Sequence, residues 1–248
     1  MTHLGKRIRV QRRGRGSSTF RASSHKRLAP VKYPSVSVTA NKGIVNGQVK
    51  GILHDPGRGS PMVAVKLETG ETYYSVVPEG VYEGQRTQIG DEAVVDIGNV
   101  LPIGKIPEGT MICNIEMSPG DGGKLVRSSG AYATIISHSP DGTIVKLPSK
   151  RTKHINDLCR ATIGIISGAG RIEKPFLKAG TMFHLMKAKG HMYPRTSARA
   201  MNAADHPYGS GRKGARKCTT VARNAPPGQK VGLIAARSAG RRTKRNRE

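Results

Sequence analysis

The distribution of charge along the 248 residues is the feature that most limits what this chain can fold into. Residues 1–50 carry 12 Lys and Arg and no Asp or Glu, residues 51–150 carry 8 against 12, and residues 151–248 carry 22 against 4. Clustered like charge opposes compaction until a polyanion neutralises it. We therefore expect a folded central module between two basic arms that are disordered until they bind nucleic acid.

Composition and the lack of apolar runs exclude other classes of protein. With 31 Gly, 15 Pro, 3 Phe, 7 Tyr and no Trp, the chain has many turns and few large core residues, which argues against a compact helical enzyme. No apolar run approaches the roughly 18–20 residues of a membrane span, so we expect no membrane partner and a cytoplasmic protein. Cys113, Cys159 and Cys218 show no CxxC spacing and are expected to be reduced thiols.

Short segments rich in β-branched residues predict that the centre is built from strands. Residues 68–71 and 139–142 have the composition of turns. Met111 to Met117 should form a strand with Asn114 and Glu116 on the face opposite the odd-numbered residues. Short strands at intervals of about 8–12 residues favour small barrels, and we place a boundary between two of them near Gly98 to Gly104. The predicted strands are residues 36–38, 44–45, 49–53, 62–67, 72–77, 111–117, 131–137, 143–147 and 161–166.

The motifs of phosphate-binding enzymes and metal sites are absent from the sequence. Gly104 and Gly123 are each followed by Lys but not then by Ser or Thr, which excludes a P-loop, and Gly168 begins no complete GxGxxG fingerprint. The eight His show neither HExxH nor a spacing paired with Cys. The two Asp-His neighbours, at residues 54–55 and 205–206, precede Pro, which favours a fixed turn over an acid-base pair. We expect no catalytic residue, no metal site and no cofactor of the protein itself.

Features suited to nucleic acid are plentiful by comparison. Residues 12–18 and 212–217 combine Arg or Lys with Gly, which lets the backbone approach phosphates closely, although a basic run can also be only a solvated face or a localisation signal. So few aromatic residues argue against extensive base stacking, and structured RNA read by its shape and backbone fits better. If about ten cations meet phosphates, the log–log dependence of affinity on salt should have a slope of about −7 to −9.

Several strings, in order along nearly the whole chain, resemble one known family. They are HDPGRGSP at residues 54–61, IPEGT at 106–110, NIEMSPGDGGK at 114–124, RSSG at 127–130, CRATIG at 159–164 and AMNAADHP at 200–207. Together these strings are similar to the universal large-subunit ribosomal protein 2 family. RNAPPG at residues 223–228 and IAAR at 234–237 resemble its archaeal and eukaryotic branch, and the length favours an archaeal source.

The resemblance implies a mostly β fold, with an oligonucleotide-binding-fold (OB-fold) barrel followed by an SH3-like barrel and long basic extensions at both ends. On this basis we assign residues 1–35 to the N-terminal extension, 36–98 to the OB-fold-like barrel, 99–186 to the SH3-like barrel and 187–248 to the C-terminal extension.

The resemblance also implies a function and partners. The protein would be a structural constituent of the large ribosomal subunit and a primary rRNA-binding protein that supports subunit association, tRNA binding and the peptidyl-transferase region. Expected partners are large-subunit (23S-type) rRNA with its structural Mg ions, neighbouring large-subunit proteins, the small subunit through an intersubunit bridge, and tRNA indirectly.

In that family the Asp-His-Pro loop lies toward the peptidyl-transferase centre, and the match carries this position to Asp205, His206 and Pro207. The family usually has Arg-Gly-Val before Ala-Met-Asn and Gly-Gly-Gly after the loop, where this chain has Ser-Ala-Arg at residues 197–199 and Gly-Ser-Gly at 209–211. We interpret His206 as an RNA hydrogen-bond partner that stiffens the loop, the alternative being proton transfer during peptide synthesis.

A free-standing basic protein built on the same barrels, either an RNA chaperone or a chromatin-type nucleic-acid-binding protein, is the alternative function. Its arms would more often be repetitive and of low complexity, whereas these arms contain distinct strings that suggest one fixed binding surface. The residues predicted to contact rRNA, in loops or arms where their side chains can reach it, are Arg12, Arg13, Arg15, Arg21, Arg58, Lys124, Arg127, Arg199, Asp205, His206, Arg212 and Arg223.

Overall fold

The computed structural model describes residues 5–36, 43–210 and 220–237. The chain divides into two compact units, one made of both ends (Met1–Ser23 with Lys178–Glu248) and one made of Ser24–Leu177. We call them the terminal unit and the central unit. The strands of the central unit are β1 (Ile44–Leu53), β2 (Met62–Leu67), β3 (Thr72–Val76), β4 (Arg86–Gly90), β5 (Val100–Pro102), β6 (Met111–Cys113), β7 (Ala133–Ser139), β8 (Gly142–Lys146), β9 (Thr152–Ile155) and β10 (Arg160–Ile163).

The ten strands described in the central unit belong to one sheet with the order β3-β2-β1-β4-β5-β10-β6-β7-β8-β9. Neighbouring strands are antiparallel except β4 and β5, which are parallel and meet at Ile89 and Val100. Strand β10 pairs with β5 on one side and with β6 on the other. It therefore joins the first half of the sheet, β1 to β5, to the second half, β6 to β9.

Each half of the sheet encloses its own apolar core, as expected of two successive small barrels. The predicted fold class, mostly β with an OB-fold barrel before an SH3-like barrel, is confirmed. A third small cluster includes Met62, Val76, Cys113 and Ile166, and thus links residues of both halves. The first core contains Tyr33, Val45, Val49, Val63, Val65, Leu67, Tyr73, Val77, Ile89 and Val100, and the second is centred on Ile103, Ile106, Ile112, Ile115, Ile135, Val145, Cys159 and Ala161.

Both predicted hairpin turns are present. The β2–β3 turn contains Gly70 at φ 88°, a left-handed conformation that glycine adopts without a steric cost. The β7–β8 turn is closed by Ser139 and Gly142, which are register partners. Because turn chemistry fixes the register of a hairpin, these strands follow directly from the local sequence.

The sequence did not predict β4, β5 or β9, which contain few apolar residues or only three residues in all. The predicted alternation over residues 111–117 is wrong, because burial is continuous from Ile112 to Glu116. Strand β6 ends at Cys113, since Asn114 takes a left-handed φ of 47° and turns the chain. Of the predicted strand at residues 36–38, Ser37 and Val38 lie outside the described residues.

The described part of the terminal unit contains helix α1 (Arg9–Arg13), helix α2 (Ala179–Ala188) and a short parallel pair, β11 (Thr220–Val221) with β12 (Leu233–Ile234). The sequence did not predict α2, although its Ala, Leu and Met residues favour helix. The domain boundaries stay predictions. Strand β5, at which the chain passes from the first half of the sheet to the second, begins at Val100.

Candidate nucleic-acid interface

The predicted contact residues differ in their exposure and in the hydrogen bonds that they form within the protein. Arg212 lies outside the described residues. Arg58, Arg127, Asp205 and His206 are half-buried. The exposed residues are Arg12, Arg13, Arg15 and Arg21 in the N-terminal segment, Lys124 in the central unit, and Arg199 and Arg223 in the C-terminal segment.

A turn in the central unit orients Arg58. Asp55 is buried, with 1% of its surface exposed, and its carboxylate accepts hydrogen bonds from the backbone N–H of Gly57 at 3.1 Å and from Arg58 Nε at 2.8 Å. The backbone N–H of Arg58 also donates to the carbonyl of Asp55 at 3.0 Å. Asp55 thus acts as the structural residue of a fixed turn, as predicted. The terminal Nη groups of Arg58 are not used in this pair.

A glycine-rich loop at residues 117–124 presents Lys124 to solvent. Asp121 closes the loop by accepting hydrogen bonds from the backbone N–H groups of Met117 at 3.1 Å and Gly123 at 3.0 Å. Burial opposes ionisation of Asp121, but the backbone hydrogen bonds, that from Gly123 first, outweigh it and lower the pKa. Lys124 Nζ lies 3.3 Å from Asp121 Oδ2, while 59% of the Lys124 side chain stays exposed. The ammonium group can therefore contact a phosphate while it remains beside Asp121.

Glu116 holds the same loop from inside the protein. Its carboxylate accepts hydrogen bonds from the backbone N–H groups of Gly120 at 3.3 Å and Gly122 at 2.9 Å. Arg160 Nη2 donates to Glu116 Oε1 at 2.9 Å, and Arg160 Nη1 donates to the carbonyl of Pro34 at 3.0 Å. The pair therefore connects the loop, strand β10 and the segment before β1.

Arg127 also forms hydrogen bonds within the protein. Its Nη1 donates to the carbonyl of Gly123 at 2.8 Å and its Nη2 to the carbonyl of Val31 at 3.2 Å. Burial, and after it the charge of Arg58, lowers the pKa of Arg127. These bonds tie the segment before β1 to the glycine-rich loop, while contact of Arg127 with RNA stays a prediction.

In the terminal unit, the N-terminal segment runs beside the Asp-His-Pro loop. The backbone N–H of Lys6 donates to the carbonyl of Ala204 at 2.8 Å, and Lys6 Nζ lies 3.5 Å from Asp205 Oδ1. Within the loop, the N–H groups of Asp205 and His206 both donate to the carbonyl of Asn202, at 3.0 and 3.2 Å. The loop is thus a closed turn held by its own backbone.

The His206 ring is held in a defined orientation. Its Nδ1 accepts a hydrogen bond from the backbone N–H of Tyr208 at 3.0 Å, and the two rings lie 5.3 Å apart between centroids. The Tyr208 hydroxyl donates to the carbonyl of Val231 at 3.2 Å. Because Nδ1 accepts, the neutral imidazole carries its proton on Nε2. The ring orientation and the tautomer are therefore set by groups of the protein.

Gly209 and Ser210 close the loop where the sequence departs from three successive glycines. A Cβ on Gly209 would collide with the carbonyl oxygen of Asn202. Ser210 takes a left-handed φ of 56°, its Oγ accepts from the N–H of Ala203 at 3.0 Å, and its N–H donates to the carbonyl of Met201 at 3.0 Å. The Ser210 hydroxyl thus adds a bond that glycine would lack.

Sequence reasoning missed Arg9 and Arg195. Both line a cleft in the terminal unit together with Arg13 and His206. The spacing of Arg9 and Arg13 would place them on one face of a helix. However, α1 has five residues and no buried residue, so no apolar periodicity predicted it.

Other classes of site find no support in the part of the chain that the structure describes. Residues 5–36, 43–210 and 220–237 contain no group of three His, Cys, Asp or Glu side chains arranged to hold a metal ion. No helix within these ranges is both long and apolar enough to cross a membrane.

Comparison with known proteins connects this arrangement to one family. Residues 4–88 match the family model described as "Ribosomal Proteins L2, RNA binding N-terminal domain", and residues 96–230 match "Ribosomal Proteins L2, C-terminal domain". The chain is 50% identical over 243 residues to the large ribosomal subunit protein uL2 of Korarchaeum cryptofilum, with 98% of each chain covered. It is 52% identical over 239 residues to the uL2 of Methanocaldococcus jannaschii, covering 96% of this chain and 99% of the relative.

Proposed function

The chain belongs to the ribosomal protein L2 family, and from this premise we propose that its Asp-His-Pro loop supports subunit association, tRNA binding and the peptidyl-transferase region. As a member of this family it is a structural, rRNA-binding constituent of the large ribosomal subunit and not an enzyme. Family membership also favours this function over a free-standing RNA chaperone or chromatin-type protein.

The observation that carries the proposal is the closed loop at residues 202–210, in which internal hydrogen bonds fix His206. A rigid loop presents its groups to RNA in one geometry and so loses little conformational entropy on binding. In an acid-base pair a carboxylate would accept from Nδ1–H, whereas Nδ1 of His206 itself accepts a backbone hydrogen bond and the adjacent Asp205 lies beside Lys6. The histidine is therefore a positioning group for RNA and not a general base.

Membership of the family also supports a proposal for the location and the individual partners of the protein. The protein works in cytoplasmic ribosomes and contacts neighbouring large-subunit proteins, the small subunit through an intersubunit bridge, and tRNA indirectly. Mg²⁺ ions bound by the rRNA neutralise the phosphates that the arginine-rich segments leave unpaired. Arg12, Arg15, Arg21, Arg199 and Arg223 are exposed and can meet phosphates directly.

The test compares ribosomes that carry His206→Ala with ribosomes that carry His154→Ala, an exposed histidine on β9. We expect His206→Ala to weaken association of the purified subunits several-fold and to leave the rate of single-turnover peptide transfer within about twofold of wild type, whereas a general base would lower that rate by about 10²–10⁴. His154→Ala should behave as wild type. Normal subunit association with a rate lower by orders of magnitude would overturn the proposal.

A second measurement separates the ribosomal function from the free-standing alternative. Native extract is fractionated on sucrose gradients at low and high salt, with and without ribonuclease, and the protein is quantified by mass spectrometry. We expect one copy per large subunit, retained at high salt and released by ribonuclease. Salt-labile binding to many RNAs would favour the chaperone.

A further inference from the structure

A cleft of about 370 Å³ in the terminal unit is rich in positive charge. Helix α1 forms one wall of the cleft, and residues 195–198 form another. Both main walls contribute arginine, and no Asp or Glu is among the described residues that line the cleft. The lining side chains that matter here are Arg9, Arg13, Arg195, Thr196, Ser197 and His206.

Arg9 is only partly satisfied by the protein. Its Nη2 donates to the carbonyl of Thr196 at 3.3 Å. Its Nη1 is buried and has no hydrogen-bond partner among the described residues. A buried donor on a charged group destabilises a protein unless it is paired, so this nitrogen calls for an acceptor from outside.

The positively charged neighbours of Arg9 favour the binding of an anion close to its side chain. Arg13 lies one helical turn further along α1, where like charges repel each other. Burial, followed by repulsion from Arg195, Arg13 and Arg12, lowers the pKa of Arg9. The described residues contain no carboxylate in an ion pair with any of these arginines. An anion in the cleft would relieve both the unmade hydrogen bond and the repulsion.

We propose that this cleft is a binding site for a backbone phosphate of the rRNA, with Arg9, Arg13 and Arg195 as the guanidinium donors. The proposal rests on the rRNA-binding function of the chain. A planar guanidinium matches phosphate oxygens with two parallel N–H bonds, and the hydroxyls of Thr196 and Ser197 add neutral donors to the same wall. RNA is favoured over an acidic protein because it supplies such phosphates at regular spacing.

The site has a consequence for the neighbouring loop, because His206 lines the same cleft. A phosphate held by Arg9 and Arg195 would bring the RNA backbone beside the ring that Tyr208 orients. The arginines would then set the register in which the Asp-His-Pro loop meets the RNA.

The test uses the full-length protein and large-subunit rRNA transcribed in vitro, with affinity measured at several KCl concentrations. We expect Arg9→Ala and Arg195→Ala each to weaken binding about tenfold and to reduce the steepness of the log–log salt dependence by about 0.7–0.9, the value for one lost phosphate contact. Arg9→Lys keeps the charge but loses the paired donors, and should weaken binding about fivefold.

The matched control is Arg86→Ala, which removes an exposed guanidinium on β4 that neither lines the cleft nor belongs to the predicted rRNA contacts. Arg9→Ala and Arg195→Ala should be strongly non-additive when combined, because both act on one phosphate, whereas Arg9→Ala and Arg86→Ala should be additive. An effect of Arg9→Ala no larger than that of Arg86→Ala, or additivity with Arg195→Ala, would overturn the proposal.

The outcomes for the site and for the Asp-His-Pro loop can be distinguished. Wild-type affinity in all the arginine variants would remove the phosphate site and leave the effect of His206→Ala on subunit association untouched. Conversely, normal subunit association in His206→Ala ribosomes would remove the proposed role of the loop, while the salt dependence would still report on the cleft.

Discussion

Glu116 and Arg160 form an ion pair inside the protein, with 2.9 Å between Glu116 Oε1 and Arg160 Nη2 and side-chain exposures of 0% and 8%. Arg160 also lies over the ring of Tyr33, with 5.4 Å from Cζ to the ring centroid. The Tyr33 hydroxyl in turn donates to the carbonyl of Asn114 at 2.7 Å. This polar cluster binds the segment before β1 to strand β10 and to the glycine-rich loop that presents Lys124.

Glu116→Gln should strongly destabilise the protein, because it leaves the Arg160 charge buried without its counterion. Breaking a buried pair by removing one partner typically costs about 3–5 kcal/mol in the free energy of unfolding. Urea denaturation of the full-length protein measures this loss. Glu79→Gln removes an exposed carboxylate in the same unit and should change the free energy by less than about 0.5 kcal/mol. Equal denaturation midpoints for the two variants would contradict the assigned role of the pair.

Alkaline pH should destabilise the central unit through its buried thiols. Burial raises the pKa of Cys113 from 9.0 to about 12 and that of Cys159 to about 11. In the unfolded chain the thiols ionise near their ordinary pKa, so the contribution is complete below that value and is lost as the pH rises toward the folded pKa values. Burial raises the pKa of Tyr73 as well, which adds to the loss at still higher pH.

The measurement is the urea midpoint at pH 8 and at pH 10.5, which should be lower at the higher pH. Cys113→Ala should make the difference smaller, because one of the raised pKa values is removed. Iodoacetamide should modify both thiols slowly at pH 8 until urea unfolds the protein. Fast modification of native Cys113 would show that its thiol is accessible.

Gly209→Ala should disturb the Asp-His-Pro loop, because the new Cβ would collide with the carbonyl oxygen of Asn202, to which the N–H groups of Asp205 and His206 donate. We expect weaker association of the ribosomal subunits in ribosomes that carry this variant. Gly180→Ala is the matched control in α2, since nothing lies within 4 Å of the position that its methyl group would take and its φ is not left-handed. If both variants associate equally well, the loop geometry does not matter for association.

The hairpins of the sheet were predictable because the residues that specify each turn and its two strands are adjacent in the sequence. Residues 68–71 and 139–142 specify turns, and the β-branched segments on either side supply the strands. Strands β4, β5 and β9 were not predictable from the local sequence, since they are defined by pairing with other strands of the sheet. Strand β5 has three residues and is defined by its pairing with β10, which lies about sixty residues further along the chain.

The sequence predicted which kinds of side chain the candidate site contains, but not which of them form hydrogen bonds within the protein. The charge distribution and the family strings pointed to exposed cations in both end segments and to Lys124 in the central unit. No local signal showed that Glu116 would face inward to Arg160, 44 residues away, or that Arg127 would bond to Val31, 96 residues away. The same limit explains why Arg9 was missed, because its environment depends on Arg195 and Thr196 at the other end of the chain.

Arg127→Lys tests whether the Arg127 guanidinium stabilises the folded protein or instead contacts RNA. The guanidinium of Arg127 bonds to two carbonyl groups, those of Gly123 and Val31, and a lysine ammonium on a flexible stem cannot reproduce both bonds. Hydrogen bonds to charged groups contribute about 1.5–3 kcal/mol each, so the variant should lose about that much in the free energy of unfolding although the net charge is unchanged. Arg86→Lys, an exposed residue on β4, is the control and should unfold as the wild type does. Wild-type stability of Arg127→Lys together with weaker rRNA binding would instead assign the guanidinium to the RNA.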